Sequence, residues 1–366
     1  MAASVAVVIP NWNGAALLPA CLDALRSQTY HDFEIVVVDN GSADDSLAIL
    51  VRYPEVRVLR FGRNRGFGAA TNAGIRATAS RYVATLNNDA VPAAGWLAAL
   101  VAAADADPAV GMFASRMVFA ARPDRLNSCG IALDRAGIAW DLLGGEPVGA
   151  DRGLAEPFGA CAGAGLYRRA LLAAIGLFDE RFFAYLEDVD LAWRARRAGW
   201  RCRYVPAAAV THQHSATGGE GSARKRYLLG RNKVWLLAKN YPRAGWWRWL
   251  PLVLAYDVAA VGYALATRRD SAALRGRLAG LARLQWALRA RTADDRRAAP
   301  IGRAAHETDN GRAMTPGSRL AASVWRCAAR REAASGEDVP LLPVEWPWRV
   351  PRRYQHLQTL ASGRAR

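Results

Sequence analysis

The chain has 366 residues but only five cysteines, Cys21, Cys129, Cys161, Cys202 and Cys327, and none lies near another in sequence. An odd, scattered set suggests neither a disulfide framework nor a structural zinc site and fits a reducing, cytosolic setting. The N-terminus has no basic stretch followed by a long apolar one, so no signal peptide is expected. No uncharged apolar run reaches the ~18 residues of a simple membrane-spanning helix. The nearest, 249–267, is interrupted by Asp257. There is no internal repeat. Whole-chain disorder is excluded as well, because 52% of the residues are hydrophobic and disorder needs far fewer.

Charge is abundant but unevenly spread. Residues 1–215 hold 21 basic and 21 acidic side chains, whereas 216–366 hold 28 and 11, so the second part carries the whole formal excess of +17. That excess is interleaved with apolar and Trp-rich sequence, including Trp246-Trp247-Arg248-Trp249. It comes without zinc spacing, a recognition-helix signature or an RNP-like aromatic motif, so nucleic acid is not the expected partner. Leu274, Leu278, Leu281, Leu284 and Leu288 share one helical face, with arginines around the rest. Trp and Arg beside an apolar helix suit a membrane–water interface. The expected partner is an anionic membrane, bound peripherally on its cytoplasmic face by helices within 243–291; burial of 249–267 in the protein is the alternative. Residues 292–318 read as a linker and the Pro- and Trp-containing tail has no functional reading.

The first ninety residues alternate β-branched runs with helical patterns, which predicts βαβ units and a parallel sheet. Strands are expected at 5–9, 34–39, 56–61 and 82–86, and helices at 17–27, 46–51 and 68–78. Pro92 is expected to open a helix to about 104, at a first-turn position where its missing N–H costs nothing. Further on, 110–118 suggests a strand, 137–153 a glycine-rich loop, 186–198 a helix, and 201–205 a strand ending at Pro206.

Polar residues gather where successive strands end: Pro10-Asn11-Trp12-Asn13-Gly14, then Asp39-Asn40-Gly41-Ser42, then Asn87-Asn88-Asp89. In open α/β sheets ligands bind outside those strand ends, although each cluster alone is also ordinary turn chemistry. A second group, Glu187, Asp188 and Asp190, follows Phe182, Phe183 and Tyr185. Partial burial there would raise a carboxyl pKa and suit it to proton abstraction. His212 and His214 follow the last strand; imidazole and carboxylate together ligate several divalent ions.

These segments, with Asn64-Arg65-Gly66-Phe67-Gly68 and Asn72, resemble the nucleotide-sugar half of the family 2 inverting glycosyltransferases. Gly176-Leu177-Phe178-Asp179-Glu180 and the stretch from Phe183 to Arg194 resemble its acceptor half. The likeness runs over about 4–240 and is nearest the rhamnosyltransferase-like branch. It implies a GT-A-type fold: an α/β domain over 1–215 with a mostly parallel sheet flanked by helices, a donor half to about 110 and an acceptor half from about 111. A basic, apolar helical extension over 216–291 and the 292–366 tail follow.

The resemblance also implies roles. Asp39 would bind the donor's base, with Pro10, Asn11, Asn13, Asn40, Asn64, Gly66, Asn72, Asn87 and Asn88 around the donor. Asp89 and His212 would hold Mg2+ or Mn2+, with His214 the rival for the second ligand. Asp188, with Glu187 beside it, would supply the general base. The family motif often begins with Asp where this chain has Asn87, which points Asn87 towards the sugar or ribose. The implied reaction is transfer from dTDP-rhamnose or a UDP-sugar to a hydroxyl of a cell-envelope glycan or lipid-linked precursor. A catalytically silent nucleotide-sugar-binding protein and a nucleotidyltransferase are the alternatives.

Overall fold

A computed structural model of the chain describes residues 2–213, 222–242, 246–291 and 293–294; His214 and the sequence after 294 lie outside them. In chain order the N-terminal part runs β1 (Val5–Asn11), α1 (Leu18–Arg26), β2 (Phe33–Asp39), α2 (Ser46–Leu50), β3 (Val56–Arg60), α3 (Phe67–Arg76), β4 (Tyr82–Leu86), β5 (Ala90–Pro92) and α4 (Trp96–Ala106). Then come β6 (Val110–Phe119), β7 (Arg122–Ser128), β8 (Ile131–Leu133), β9 (Ala139–Asp141), β10 (Ala164–Arg168), α5 (Arg169–Ile175), α6 (Glu187–Arg197) and β11 (Arg201–His212). Helices α7 (Ala223–Asn240), α8 (Trp246–Arg268) and α9 (Ala272–Ala282) follow.

The main sheet has the order β3-β2-β1-β4-β10-β6-β11-β5, with β7 beside β6. Pairing is parallel from β3 to β4. Antiparallel contacts then enter through β10, which pairs with both β4 and β6, while β6 and β11 are again parallel. Side chains of β1 alternate faces: Val5, Val7 and Ile9 pack with Leu18, Leu22 and Leu25 of α1, whereas Val8 joins the core beneath α5, α6 and α7. The sheet is thus covered on both sides, which is why β2 is apolar over Ile35–Val38 without interruption. Gly74 lets α3 lie close to β1, because a Cβ there would sit 2.4 Å from Val8.

Two expected boundaries move. Pro92 does not open a helix; it ends β5, which pairs antiparallel with β11, and the helix begins at Trp96. The strand from Arg201 does not stop at Pro206 but bulges between Val205 and Ala209 and continues to His212. The extra residues at that bulge absorb the proline, whose missing N–H a regular ladder would not tolerate. The expected 137–153 loop contains β9, paired with β8.

The C-terminal helices pack through small residues. Gly276 and Gly280 of α9 lie against Tyr227, Arg231 and Val234 of α7, and Trp235 Nε1 donates to the Gly280 carbonyl. Asp257, the charge that interrupts the apolar run of α8, faces inward, where Lys233 Nζ lies at 3.0 Å and the Arg277 guanidinium at 2.6 Å. The helix expected through 291 is broken at Arg283.

Candidate functional site

The parallel strands deliver their polar ends to one crevice. Asn11 at the end of β1 donates to Asp39 Oδ1 at the end of β2 and accepts from Asn88 Nδ2 after β4, at 3.2 and 2.7 Å. Asn40 donates to Asn64 Oδ1 and the Gly66 carbonyl and accepts from Arg65 N. Gly66, at φ 94°, has a backbone conformation that suits glycine, and a Cβ there would strike the Phe183 backbone. This asparagine network joins three strand ends and one helix start into a single rim.

Pro10, Asn11, Asn40, Asn64, Gly66, Asn87, Asn88 and Asp89 line a cavity of about 700 Å³, together with Glu187, Asp188 and His212. The N- and C-terminal motifs therefore meet in one chamber. Three residues expected there do not line it. Asn72 is buried with its amide committed to the Phe178 backbone and to Glu180. Asn13, at φ 50°, is a turn residue whose Oδ1 accepts from Ala43 N. Asp39 is buried behind the wall, bonded to Asn11 and to Ser42 N.

The three acids at the start of α6 have separate fates. Asp190 is buried against Arg194, Lys239 and Asn240. Its burial alone would raise its pKa, but the two cations reverse that and hold it down at about 2. Glu187 is buried, its Oε2 has no hydrogen-bond partner among the described residues, and burial together with the Asp188 charge pushes it up to about 8. Asp188 accepts from the Ala162 and Val189 amides, yet burial, with Asp141 nearby, still raises it to about 6. A carboxylate at that value is ionised at neutral pH and basic enough to take a proton.

At the other motif, His212 Nε2 lies 3.0 Å from Asp89 Oδ1. His212 Nδ1 faces Asn127 Oδ1 at 2.8 Å, and Asn87 Nδ2 stands 3.4 Å from Nε2. With Asn127 Oδ1 against Nδ1, the Nε2 edge of the ring faces the Asp89 carboxylate, and the two could serve together as ligands. No group of three His, Cys, Asp or Glu side chains converges among the described residues. One carboxylate beside one imidazole would suit a divalent ion that draws most of its ligands from water and a bound phosphate, such as Mg2+ or Mn2+.

Sequence reasoning missed Asn127, on β7, and Trp140 and Asp141, on β9, which also line the cavity. β9 is only three residues long, and β7 is a hairpin return whose register against β6 shifts twice, so neither carries an alternating pattern that marks it. Arg224 and Lys225 at the start of α7 line it too, over the rings of Phe183 and Tyr185.

The family described as Glycosyl transferase family 2 matches residues 6–176. That span carries the rim network and Asp89 and ends before Glu187. The chain is 32% identical over 235 residues to a pre-mycofactocin glycosyltransferase of Mycobacterium tuberculosis, covering 62% of this chain and 46% of that protein. It thus spans about half that relative's length. It is 28% identical over 278 residues to an N-acetylglucosaminyl-diphospho-decaprenol L-rhamnosyltransferase of the same species, covering 66% and 86%. Among solved structures, the mannosyltransferase PcManGT from Pyrobaculum calidifontis, in complex with GDP-Man and Mn2+, superposes with a TM-score of 0.50 at 21% identity, over 85% of this chain and 89% of that one. GalNAc-T7 with UDP, GalNAc and Mn2+ gives 0.50 at 17% identity, over 71% and 58%. Both likenesses bear on the fold, which is of the GT-A kind.

Proposed function

From a chain that carries a glycosyl transferase family 2 domain over residues 6–176, we propose an inverting glycosyltransferase that moves a sugar from a nucleoside diphosphate to an acceptor hydroxyl. The observation that carries this reading is that Asp89 with His212 and Asp188 with Glu187 line a single cavity. The asparagine rim binds and orients the donor. Asp188 accepts the proton of the acceptor hydroxyl as its oxygen bonds to the anomeric carbon; the bond from that carbon to the diphosphate breaks on the opposite face, and the nucleoside diphosphate leaves with the electron pair. Glu187, protonated beside it, donates a hydrogen bond to the acceptor. Asp89 and His212 would hold a divalent cation, which when bound supplies charge neutralisation to the leaving diphosphate.

The donor class we favour is dTDP-rhamnose or a UDP-sugar, and the acceptor a lipid-linked or cell-envelope glycan. An exposed face of α8 and α9 supports the latter. Trp246, Trp247, Leu250, Leu254 and Val258 of α8 and Leu274, Leu278 and Leu281 of α9 are exposed. Arg248, Arg268, Arg269, Arg275, Arg283 and Arg289 are exposed among them. The only acids in 246–291 are Asp257 and Asp270, which pair with Lys233, Arg277 and Arg226. An apolar face fringed by cations suits an anionic bilayer on the cytoplasmic side.

The test is nucleoside diphosphate release from dTDP-rhamnose and UDP-hexoses, with donor and Mn2+ binding followed by thermal shift. Asp188→Asn should lose ~10²–10⁴-fold in turnover while donor still stabilises the protein. Asp89→Ala should lose the Mn2+-dependent shift. Wild-type turnover in the first, or an undiminished Mn2+ response in the second, overturns the corresponding role.

A further inference from the structure

The segment that delivers Asp188 is held in an uncommon backbone form. Phe183, Tyr185 and Leu186 have φ of 67°, 71° and 67°, three bulky residues in the left-handed region within four positions. Such geometry persists only where surrounding contacts impose it. Leu186 gives α6 no side-chain cap, so no cap side chain fixes the direction in which Glu187 and Asp188 emerge.

The restraint comes from α7. Asn232 is fully buried, and its Nδ2 donates to the carbonyls of Phe182, Ala184 and Tyr185 at 3.0, 2.8 and 2.8 Å. The two N–H groups of the amide are shared among these three acceptors and tie the loop down at all three carbonyls. The amide itself cannot swing, because Arg231 Nε donates to Asn232 Oδ1 at 2.9 Å, while another nitrogen of the same guanidinium reaches the Phe182 carbonyl at 2.7 Å. From the donor side, Phe67 N donates to the Phe183 carbonyl at 2.6 Å. Neither Asn232 nor Arg231 lines the cavity.

We infer that Asn232, locked by Arg231, is a positioning residue for the reaction: it imposes the left-handed loop that aims Asp188 at the acceptor. The inference rests on the reading of Asp188 as base. Loss of the clamp lets residues 183–186 relax, turns the carboxylate away from the attacking oxygen and admits water to it.

The experiment uses the full chain with Asn232→Ala and with the milder Arg231→Lys, which keeps the charge but not the two-pronged grip. Nucleoside diphosphate release from dTDP-rhamnose or a UDP-hexose is measured against pH, with water taking the acceptor's place, and scaled to folded protein. A misplacement of about 1 Å costs about 10²-fold in turnover, and that loss is expected with KM for the donor unchanged because the rim is intact. The acidic limb of the profile should also move to lower pH, since a better-hydrated Asp188 titrates nearer an ordinary carboxyl. The titratable groups facing Asp188 are Glu187 on its own helix, Asp141 from β9, Tyr167 from β10 and Cys161; none is altered. A purely structural role would lower the melting temperature without moving that limb. Wild-type turnover and an unmoved limb in both variants overturn the inference. Asp188→Asn run alongside separates the two claims: full activity there defeats the base, whereas an inactive Asp188→Asn beside a normal Asn232→Ala defeats only the clamp.

Discussion

Glu187 and Asp190 lie three residues apart on one helix, yet their protons are held very differently, because one has no cation to answer its charge and the other has two. Glu187 titrates at about 8 when folded and in the ordinary carboxyl range when unfolded. The folded state thus binds the extra proton between those values, and stability falls as pH rises through that interval. It is fully present below the unfolded value and lost as pH passes the folded one. Glu187→Gln has no proton to lose, so its melting temperature should decline less than the wild type's between about pH 5 and about pH 8; parallel curves would refute the assignment. This distinction was only partly legible in the sequence. The run of acids after three aromatics signalled buried carboxyls, but Lys239 and Asn240 lie some fifty residues on, and nothing local linked them to Asp190. Likewise the asparagine motifs were visible as a set, while the separation of cavity-lining Asn11 from buried, fully bonded Asn72 depended on Phe178 and Glu180, over a hundred residues from Asn72.

Helices and strands of the first ninety residues follow their local patterns closely, because each βα unit buries a face set by its own periodicity. The pattern weakens where pairing is remote or strands are very short: β5 exists only because β11, over a hundred residues on, lies beside it, and β8 and β9 are three-residue strands of one hairpin. In the C-terminal helices the informative residues were the glycines rather than the leucines. The leucine face of α9 points outward, and the side carrying Gly276 and Gly280 meets α7. A Cβ at Gly276 would lie 2.1 Å from the Tyr227 carbonyl oxygen, whereas one at Gly262 in α8 meets nothing within 4 Å. Gly276→Ala should therefore cost about 1–3 kcal/mol through overpacking, and Gly262→Ala should gain about 0.5–1 kcal/mol from helix propensity. Denaturant titration of the two variants checks the contrast, and equal shifts would mean that α7 and α9 do not meet as described.

Across the whole molecule, exposed apolar surface is strongly localised: of the large hydrophobic side chains exposed among the described residues, all but Val51 and Val148 fall in 246–288. Full-length protein should float with phosphatidylglycerol vesicles and less with neutral ones. Leu254→Glu combined with Leu278→Glu should abolish flotation while leaving donor binding intact, and added salt should weaken the wild type's binding. Flotation unaffected by the double substitution would remove this face from the membrane reading. The inward pairing of Asp257 bears on how such contact is made. Among the described residues helix α8 is long and apolar enough to cross a membrane by length and composition, but standing upright in a bilayer would strip that carboxylate from Lys233 and Arg277, and a bare charge in hydrocarbon is costly. On the membrane reading proposed above, the helix would therefore travel with its neighbours as one keel, floating broadside. A chamber built partly from α7, the same helix that moors the keel, would then keep a constant height above the lipid headgroups.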